Sequence, residues 1–245
     1  MKRIFVLFGI LISAVCYADT ETINWYVDDT VYATNTCTTG GDINVPTPPT
    51  KHGYDFTGWV SYTPIEYLES TGAQYIDTGV VVQPSTKIKT SFEFVQVKGG
   101  DPIFGIYQSS NDYRFYFNRY NGSYWRIGLG GYYEINGANN LKHELEFNYN
   151  GNVLLDGVYI FYGNSPSSSS VNTLYIFSSN ENNQSVKKSI AKIYYFQIYN
   201  NDVLIRDFIP VLDSLGTPCL YDKVTDQFFY NSGVDNFNAG PSLLN

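Results

Sequence analysis

Apolar and polar residues alternate with a period of two and are interrupted at short intervals by glycine-bearing turns. No other feature limits the folds open to this 245-residue chain as strongly. From Lys87 to Val95, Ile88, Thr90, Phe92 and Phe94 fall on one side, while Lys89, Ser91 and Glu93 fall on the other. That is the pattern of a strand with one wet face. Leu141, His143, Leu145, Phe147 and Tyr149 repeat it. Asn150-Gly151 follows as a hairpin turn, and Asp156-Gly157 makes another after Val153-Leu154-Leu155. Ile190 to Tyr199 and Val203 to Val211 read as late strands, and Pro210 predicts a sheet edge for the second. Residues 165–170 and 180–184 read as polar loops. Helical periodicity is nearly absent; only residues 64–72 have room for one short helical turn. The 23 tyrosines and 16 phenylalanines suit pleated, half-buried surfaces. The expected fold is all-β, an antiparallel jelly-roll sandwich with a small N-terminal β module.

The N-terminus limits the compartment. Lys2 and Arg3 precede an apolar run from Ile4 to Ala14 that is too short to span a bilayer comfortably. Cys16 and Ala18 put small residues at the −3 and −1 positions of a cleavage site before Asp19, so residues 1–18 are expected to be a signal peptide. Val15 before Cys16 fits a lipoprotein signal poorly. No later apolar run reaches spanning length, so the mature chain is expected to be exported, without a transmembrane segment. The chain has 15 basic and 23 acidic residues; without Lys2 and Arg3 the balance is 13 to 23, a net charge of −10. Such acidity, with no basic stripe, argues against nucleic acid or anionic membrane as partner. In an oxidising compartment Cys37 and Cys219 form an even pair that permits a disulfide, the alternative being a plain buried thiol at Cys219.

The chain is expected to divide near Tyr62. In residues 19–62, Ile23 to Val27 and Val31 to Thr34 read as strands, with turns at Asp28-Asp29 and Gly40-Gly41. Pro46-Thr47-Pro48-Pro49-Thr50-Lys51-His52-Gly53-Tyr54-Asp55-Phe56-Thr57-Gly58-Trp59 follows, with the prolines keeping it extended and Tyr54, Phe56 and Trp59 supplying a small core. This P-x-x-P-x-K-x-G-Y-x-F-x-G-W pattern resembles the Listeria–Bacteroides repeat, the internalin-type B-repeat of bacterial surface proteins. It lacks the closing strand that follows the G-W in that family. The resemblance implies a spacer module.

Three segments carry a second resemblance. Pro64-Ile65-Glu66-Tyr67-Leu68-Glu69-Ser70-Thr71-Gly72-Ala73-Gln74-Tyr75-Ile76-Asp77-Thr78-Gly79 opens the larger part of the chain. Phe208-Ile209-Pro210-Val211-Leu212-Asp213 and Gly216-Thr217-Pro218-Cys219-Leu220-Tyr221-Asp222 close it. Residues 63–235 thus resemble the laminin-G-like, concanavalin-A-like sandwich domains of secreted bacterial and phage surface proteins, leaving residues 236–245 as a tail. The resemblance implies extracellular binding of a glycan or a protein surface. It also implies a rim calcium ion, for which Asp101, Asn111 and Asp112 are the candidate ligands. Asp77 is expected to hold a turn through a bond from its side chain to the backbone.

The catalytic signals are few. There are two histidines, His52 and His143, and the latter sits on an apolar strand face where a packed role is expected. No P-loop, H-E-x-x-H or G-x-S-x-G occurs. Glu144 and Glu146 share a strand face, about 7 Å apart by strand geometry. That spacing admits a retaining glycosidase pair only if the carboxyls lie in a cleft that raises their proton affinity. Sugar binding is the better fit. It needs aromatic platforms beside amides and guanidinium groups, and Tyr107 to Tyr133 is rich in both. Phe115 and Phe117 are expected to face the core, while Arg114, Tyr116 and Asn118 face out. The candidate ligand residues are Tyr107, Asn111, Arg114, Tyr116, Asn118, Tyr120 and Trp125. The leading expectation is a non-enzymatic binding or adhesion protein. The alternatives are a structural surface or fibre component and a weak glycoside hydrolase.

Overall fold

Period-two sequence becomes sheet throughout: the chain is all-β in the computed structural model, which describes residues 20–27, 30–38, 44–50, 62–108, 113–163 and 170–244. The leader, His52, the Tyr54–Trp59 motif, the Asp28-Asp29 and Gly40-Gly41 turns, the Ser165–Ser169 stretch, Asn111 and Asp112 lie outside the described residues. The chain divides into two compact units. The first takes the N-terminal part to Ile65, Val211–Thr217 and Ser242–Asn245; the second takes Glu66–Pro210 and Pro218–Pro241.

The first unit holds strands β1 (Glu21–Val27), β2 (Thr30–Cys37) and β3 (Tyr62–Pro64). β1 and β2 form an antiparallel hairpin that buries Ile23, Trp25 and Cys37, with Ala33 packed against them. The Asn35 amide donates to the Asn44 carbonyl at 2.6 Å and ties the following extended segment to the hairpin.

In the second unit the strands up to the midpoint are β4 (Leu68–Thr71), β5 (Ile76–Val81), β6 (Thr86–Gln96), β7 (Asp101–Gln108), β8 (Tyr113–Tyr120), β9 (Tyr124–Leu129), β10 (Tyr132–Asn136) and β11 (His143–Asn148). Then come β12 (Asn152–Leu155), β13 (Val158–Tyr162), β14 (Thr173–Ile176), β15 (Ser179–Glu181), β16 (Gln184–Val186), β17 (Ile190–Asn200), β18 (Val203–Asp213), β19 (Pro218–Asp222), β20 (Gln227–Phe229) and β21 (Asn238–Ala239). One sheet runs β10-β9-β8-β7-β14-β5, with β15 pairing β7 in parallel and β16 pairing β15. The other runs β13-β12-β11-β6-β17-β18-β19-β20, with β4 on β17 and β21 on β4. The last residues of β18, Val211–Asp213, belong to the first unit and pair with β3.

The two sheets of the second unit pack face to face as a sandwich, and its core is aromatic. Phe92 of β6 meets Phe117 and Trp125 edge-on at 5.7 and 5.9 Å, and Phe104 of β7 meets Phe147 and Phe196 at 5.2 and 5.7 Å. The alternation in Lys87–Val95 holds with one exception: Ile88, Thr90, Phe92 and Phe94 are all buried, but Ser91, expected on the wet face, is 1 % exposed beside the irregularity where β17 pairs with β6. In the second alternating stretch Leu141 is the exception, 67 % exposed, because β11 starts only at His143. Asp156 and Gly157 both take positive φ, 52° and 77°, as a two-residue hairpin turn requires.

Three expectations are corrected. Residues 64–72 hold strand β4 rather than a helical turn, because Leu68 to Thr71 pairs with Ile190 to Ile193. Pro210 does not mark an edge: β18 lies between β17 and β19. The proline falls after the last β17 pairing at Phe208 and before the β3 pairing at Val211, where its missing N–H breaks no ladder bond between those two partners. Residues 180–184 are not a loop but the tip of the β15–β16 hairpin, with Asn182 and Asn183 at φ 52° and 64°.

The sequence motif at Pro64–Gly79 has a structural role. Gln74 is 1 % exposed; its side-chain oxygen accepts the Thr71 N–H at 2.8 Å and its amino group donates to the Asn236 carbonyl at 2.9 Å. Asp77 accepts the Gly79 N–H at 2.9 Å, a side-chain-to-backbone bond as expected, but it lies inside strand β5 rather than at a turn. Gln74→Ala removes the acceptor of the Thr71 N–H and the donor to the Asn236 carbonyl, both in part-buried bonds. It is expected to cost about 2 kcal/mol, read from the urea midpoint at constant m.

Candidate functional site

Three cross-strand rows on the outer face of the β7–β10 sheet build a cleft of about 480 Å³. The middle row is set by register: Ser179 pairs with Gly105, Gly105 with Tyr116, Tyr116 with Gly128, and Gly128 with Tyr132. On one side lie Glu181, Tyr107 and Arg114, again paired in order. On the other lie Asn118, Arg126 and Glu134. Side chains two residues apart on a strand share a face, so the three rows form one continuous polar-aromatic surface. Gly100, Val186 and Lys187 complete the wall.

The two glycines of the middle row explain its shape. Neither has a positive φ, so neither is there for backbone freedom. A Cβ on Gly128 would lie 2.5 Å from the Tyr116 ring, and one on Gly105 would lie 2.9 Å from the Tyr116 Cβ and 2.8 Å from the Ser179 Oγ. Tyr116 therefore lies on a floor cleared for it. Gly128→Ala is expected to push the ring off that floor, at an overpacking cost of about 1–3 kcal/mol, with the sheet retained. Tyrosine near-UV circular dichroism alongside urea unfolding checks both halves of this prediction.

Cations lie on aromatic faces. The Arg126 guanidinium carbon sits 3.4 Å from the Tyr120 ring centroid and 5.0 Å from that of Tyr132, while Arg114 sits 5.5 Å from both Tyr107 and Tyr132. Glu134 accepts from Nε of Arg126 at 3.1 Å and also from its Nη2. Burial alone would lower the Arg126 pKa, but Glu134 and Tyr120 outweigh it and raise the pKa. Two buried polar atoms of lining residues, Asn118 Oδ1 and Ser179 Oγ, have no hydrogen-bond partner among the described residues. Both residues are 8 % exposed, so each represents unmet hydrogen-bonding capacity at the cleft wall.

The β15–β16 hairpin is fixed in place at Phe177. This buried residue has φ 64°, an outlying conformation for so large a side chain. Its N–H donates to the Ile103 carbonyl at 2.7 Å, and its carbonyl accepts the Ser189 N–H at 2.9 Å. The sharp reversal brings Ser179 beside Gly105 right after β14.

No protein-family model matches the chain, and no curated protein matches its sequence.

Of the candidate ligand residues, Tyr107, Arg114, Tyr116 and Asn118 line the cleft together, with Tyr120 beside them under Arg126. Phe115 and Phe117 face the core, both with no exposure. Trp125 is a correction: it is 2 % exposed on the inner face of β9, stacked on Phe117 at 5.4 Å, and so is a core residue. The period that sends Arg126 outward sends Trp125 inward. Arg126 and Tyr132 were in the aromatic-rich segment but had not been singled out. Ser179, Glu181 and Lys187 come from a stretch whose sequence shows only polarity.

Of the other candidates, Asn111 and Asp112 lie outside the described residues, and Asp101 has a structural role. Asp101 is 3 % exposed, and its carboxylate accepts the Lys98 and Gly99 N–H groups, as in a loop-holding residue. Among the described residues no group of three or more His, Cys, Asp or Glu could hold a metal ion. Of the two readings open for Cys219, a bridge to Cys37 or a plain buried thiol, the structure has the buried thiol. No helix among the described residues is long and apolar enough to cross a membrane.

His143 is packed with both nitrogens engaged: Nδ1 lies 2.7 Å from Asp156 Oδ2 and Nε2 lies 2.9 Å from Asn139 Oδ1. Burial pushes the Asp156 carboxyl up, but the Glu144 N–H and His143 more than offset it, so its pKa lies below the ordinary 3.8. A depressed carboxyl stabilises the fold above the unfolded-state pKa and loses that contribution as pH falls through the folded value. Asp156→Asn is therefore expected to flatten the acid limb of urea midpoint against pH below about pH 4, most visibly at the low-pH end.

Glu144 and Glu146 behave as an ordinary solvated strand face. Glu146 pairs with Lys89 at 2.8 Å, and Glu144 accepts from the Tyr195 hydroxyl at 2.5 Å. Burial alone would raise the Glu146 pKa, yet Lys89 and Asn148 bring it below its usual value. A general acid needs the opposite shift.

Proposed function

We propose that the sandwich unit is a non-enzymatic, extracellular glycan-binding module whose ligand lies in the cleft over Tyr116. The glycine-cleared seat of Tyr116 carries this reading: Gly128 leaves room for its ring, and Gly105 for its Cβ and for Ser179. An aromatic ring held against a sheet, with amide and guanidinium donors in the adjacent rows, matches the chemistry of a saccharide's C–H face and hydroxyls. Tyr132, 57 % exposed at the edge strand β10, supplies a second ring at the rim. The hairpin unit fits a spacer, in keeping with the resemblance of its N-terminal sequence. The lowered Glu146 pKa weighs against the hydrolase alternative.

A broad glycan array, probed with the folded chain in calcium and again in chelator, tests the proposal. Selective signal is expected, with a loss of about 3–10-fold in Tyr132→Ala protein of unchanged stability, the scale of one aromatic contact. A silent array from folded protein would sink the glycan reading and shift the weight to a protein partner or a structural role. Equal signal in chelator would remove calcium from the account.

A further inference from the structure

The polar groups around the cleft do not match the charge of the chain. Acids outnumber bases 23 to 15 overall, but in and around the cleft three bases, Arg114, Arg126 and Lys187, stand beside two acids, Glu181 and Glu134, the latter paired with Arg126. Guanidinium and ammonium groups only donate hydrogen bonds. An ionised carboxylate only accepts, so it is the natural complement of such donors. Lys187 is in no ion pair among the described residues. Its side chain lies over Gly100, with Nζ 3.0 Å from where a Gly100 Cβ would be. Glu134 holds Arg126 through Nε and Nη2, an arrangement that orients a planar donor and keeps it half-buried.

We infer that the saccharide bound in this cleft is acidic, its carboxylate or sulfate held by Lys187 and Arg126 while its ring lies against Tyr116. This rests on the glycan reading above and adds the ligand's charge to it. The acidity of the whole chain sharpens the inference: a protein of net charge −8 repels polyanions in general, so affinity for one requires a local site.

Calorimetric titration of the whole chain with three probes tests it: trigalacturonate for carboxylate, sulfated maltotriose for sulfate, and unsubstituted maltotriose as the neutral control. At least one charged probe is expected to bind about 10-fold or more tightly than the neutral one, and the better of the two identifies the oxyanion. That preference is expected to shrink as salt is raised. Lys187→Gln, at an exposed position where folding is checked by circular dichroism, is expected to weaken the charged probe about 3–10-fold and the neutral one by less, so that the ratio of the two affinities falls. Lys187→Arg is expected to restore the preference. Neutral binding equal to or stronger than charged binding overturns the acidic inference but leaves the glycan reading standing, as does a charged preference indifferent to Lys187→Gln. Failure of all three probes, together with a silent array, overturns both.

Discussion

Trp125→Ala is expected to lower the unfolding free energy by about 3–5 kcal/mol, the range for removing a large aromatic from a packed core. Trp125 stacks on Phe117 and meets Phe92, Phe94 and His143 at centroid distances of 5.9, 6.1 and 5.3 Å. Alanine would leave a cavity bordered by rings that cannot all collapse into it. Trp125→Phe keeps most of the volume and is expected to cost less than half as much. Urea unfolding at constant m gives both numbers. A Trp125→Ala loss below about 1 kcal/mol would place the indole at the surface and return it to the ligand-binding residues.

Asp222→Ala is expected to cost about 3–5 kcal/mol. Asp222 has no exposure, and its Oδ1 accepts the Asp207 N–H at 2.8 Å and the Val224 N–H at 3.1 Å. The Thr225 hydroxyl donates to its Oδ2 at 2.6 Å, and Arg206 Nε lies 3.5 Å away, an ion pair at too great a distance for a good hydrogen bond. Truncation would leave three donors without an acceptor and Arg206 without its counter-charge. Asp222→Asn keeps one oxygen and is expected to recover part of the loss. An Asp222→Ala protein as stable as the parent would show that the β18–β19 corner holds without its carboxylate.

Most of the sandwich was legible because its strands are wet on one face: Ile88 to Phe94 and Leu145 to Tyr149 show their orientation in their own alternation. Legibility failed where local and tertiary signals conflict. Pro210 reads as an edge marker, but it sits where β18 changes partners, and only the assembled sheet shows that. Leu141 continues an apparent alternation past the point where pairing begins. In the cleft, the half on β8 was legible because Arg114, Tyr116 and Asn118 alternate with buried phenylalanines. Trp125 was misplaced because aromatic content was read there without strand phase. The β15–β16 wall was illegible for a different reason: Ser179, Glu181 and Lys187 reach the site only through a parallel pairing of β15 with β7. Gly105 and Gly128 carry no local signal either, since what they make room for lies on neighbouring strands: the Tyr116 ring at Gly128, and the Tyr116 Cβ and Ser179 at Gly105.

The middle and outer parts of the cleft are built differently, and that has a consequence for how such a protein can change. The floor comes from adjacent long strands whose inner faces are the core, so altering it disturbs the fold. The wall at Ser179–Lys187 is a short hairpin attached along a single strand, with its turn at Asn182-Asn183. Substitution or exchange within that hairpin can redirect ligand preference while the tyrosine floor stays untouched, much as a tool keeps its handle and changes its bit. Libraries confined to residues 181–187 are thus the economical route to new specificities on this scaffold.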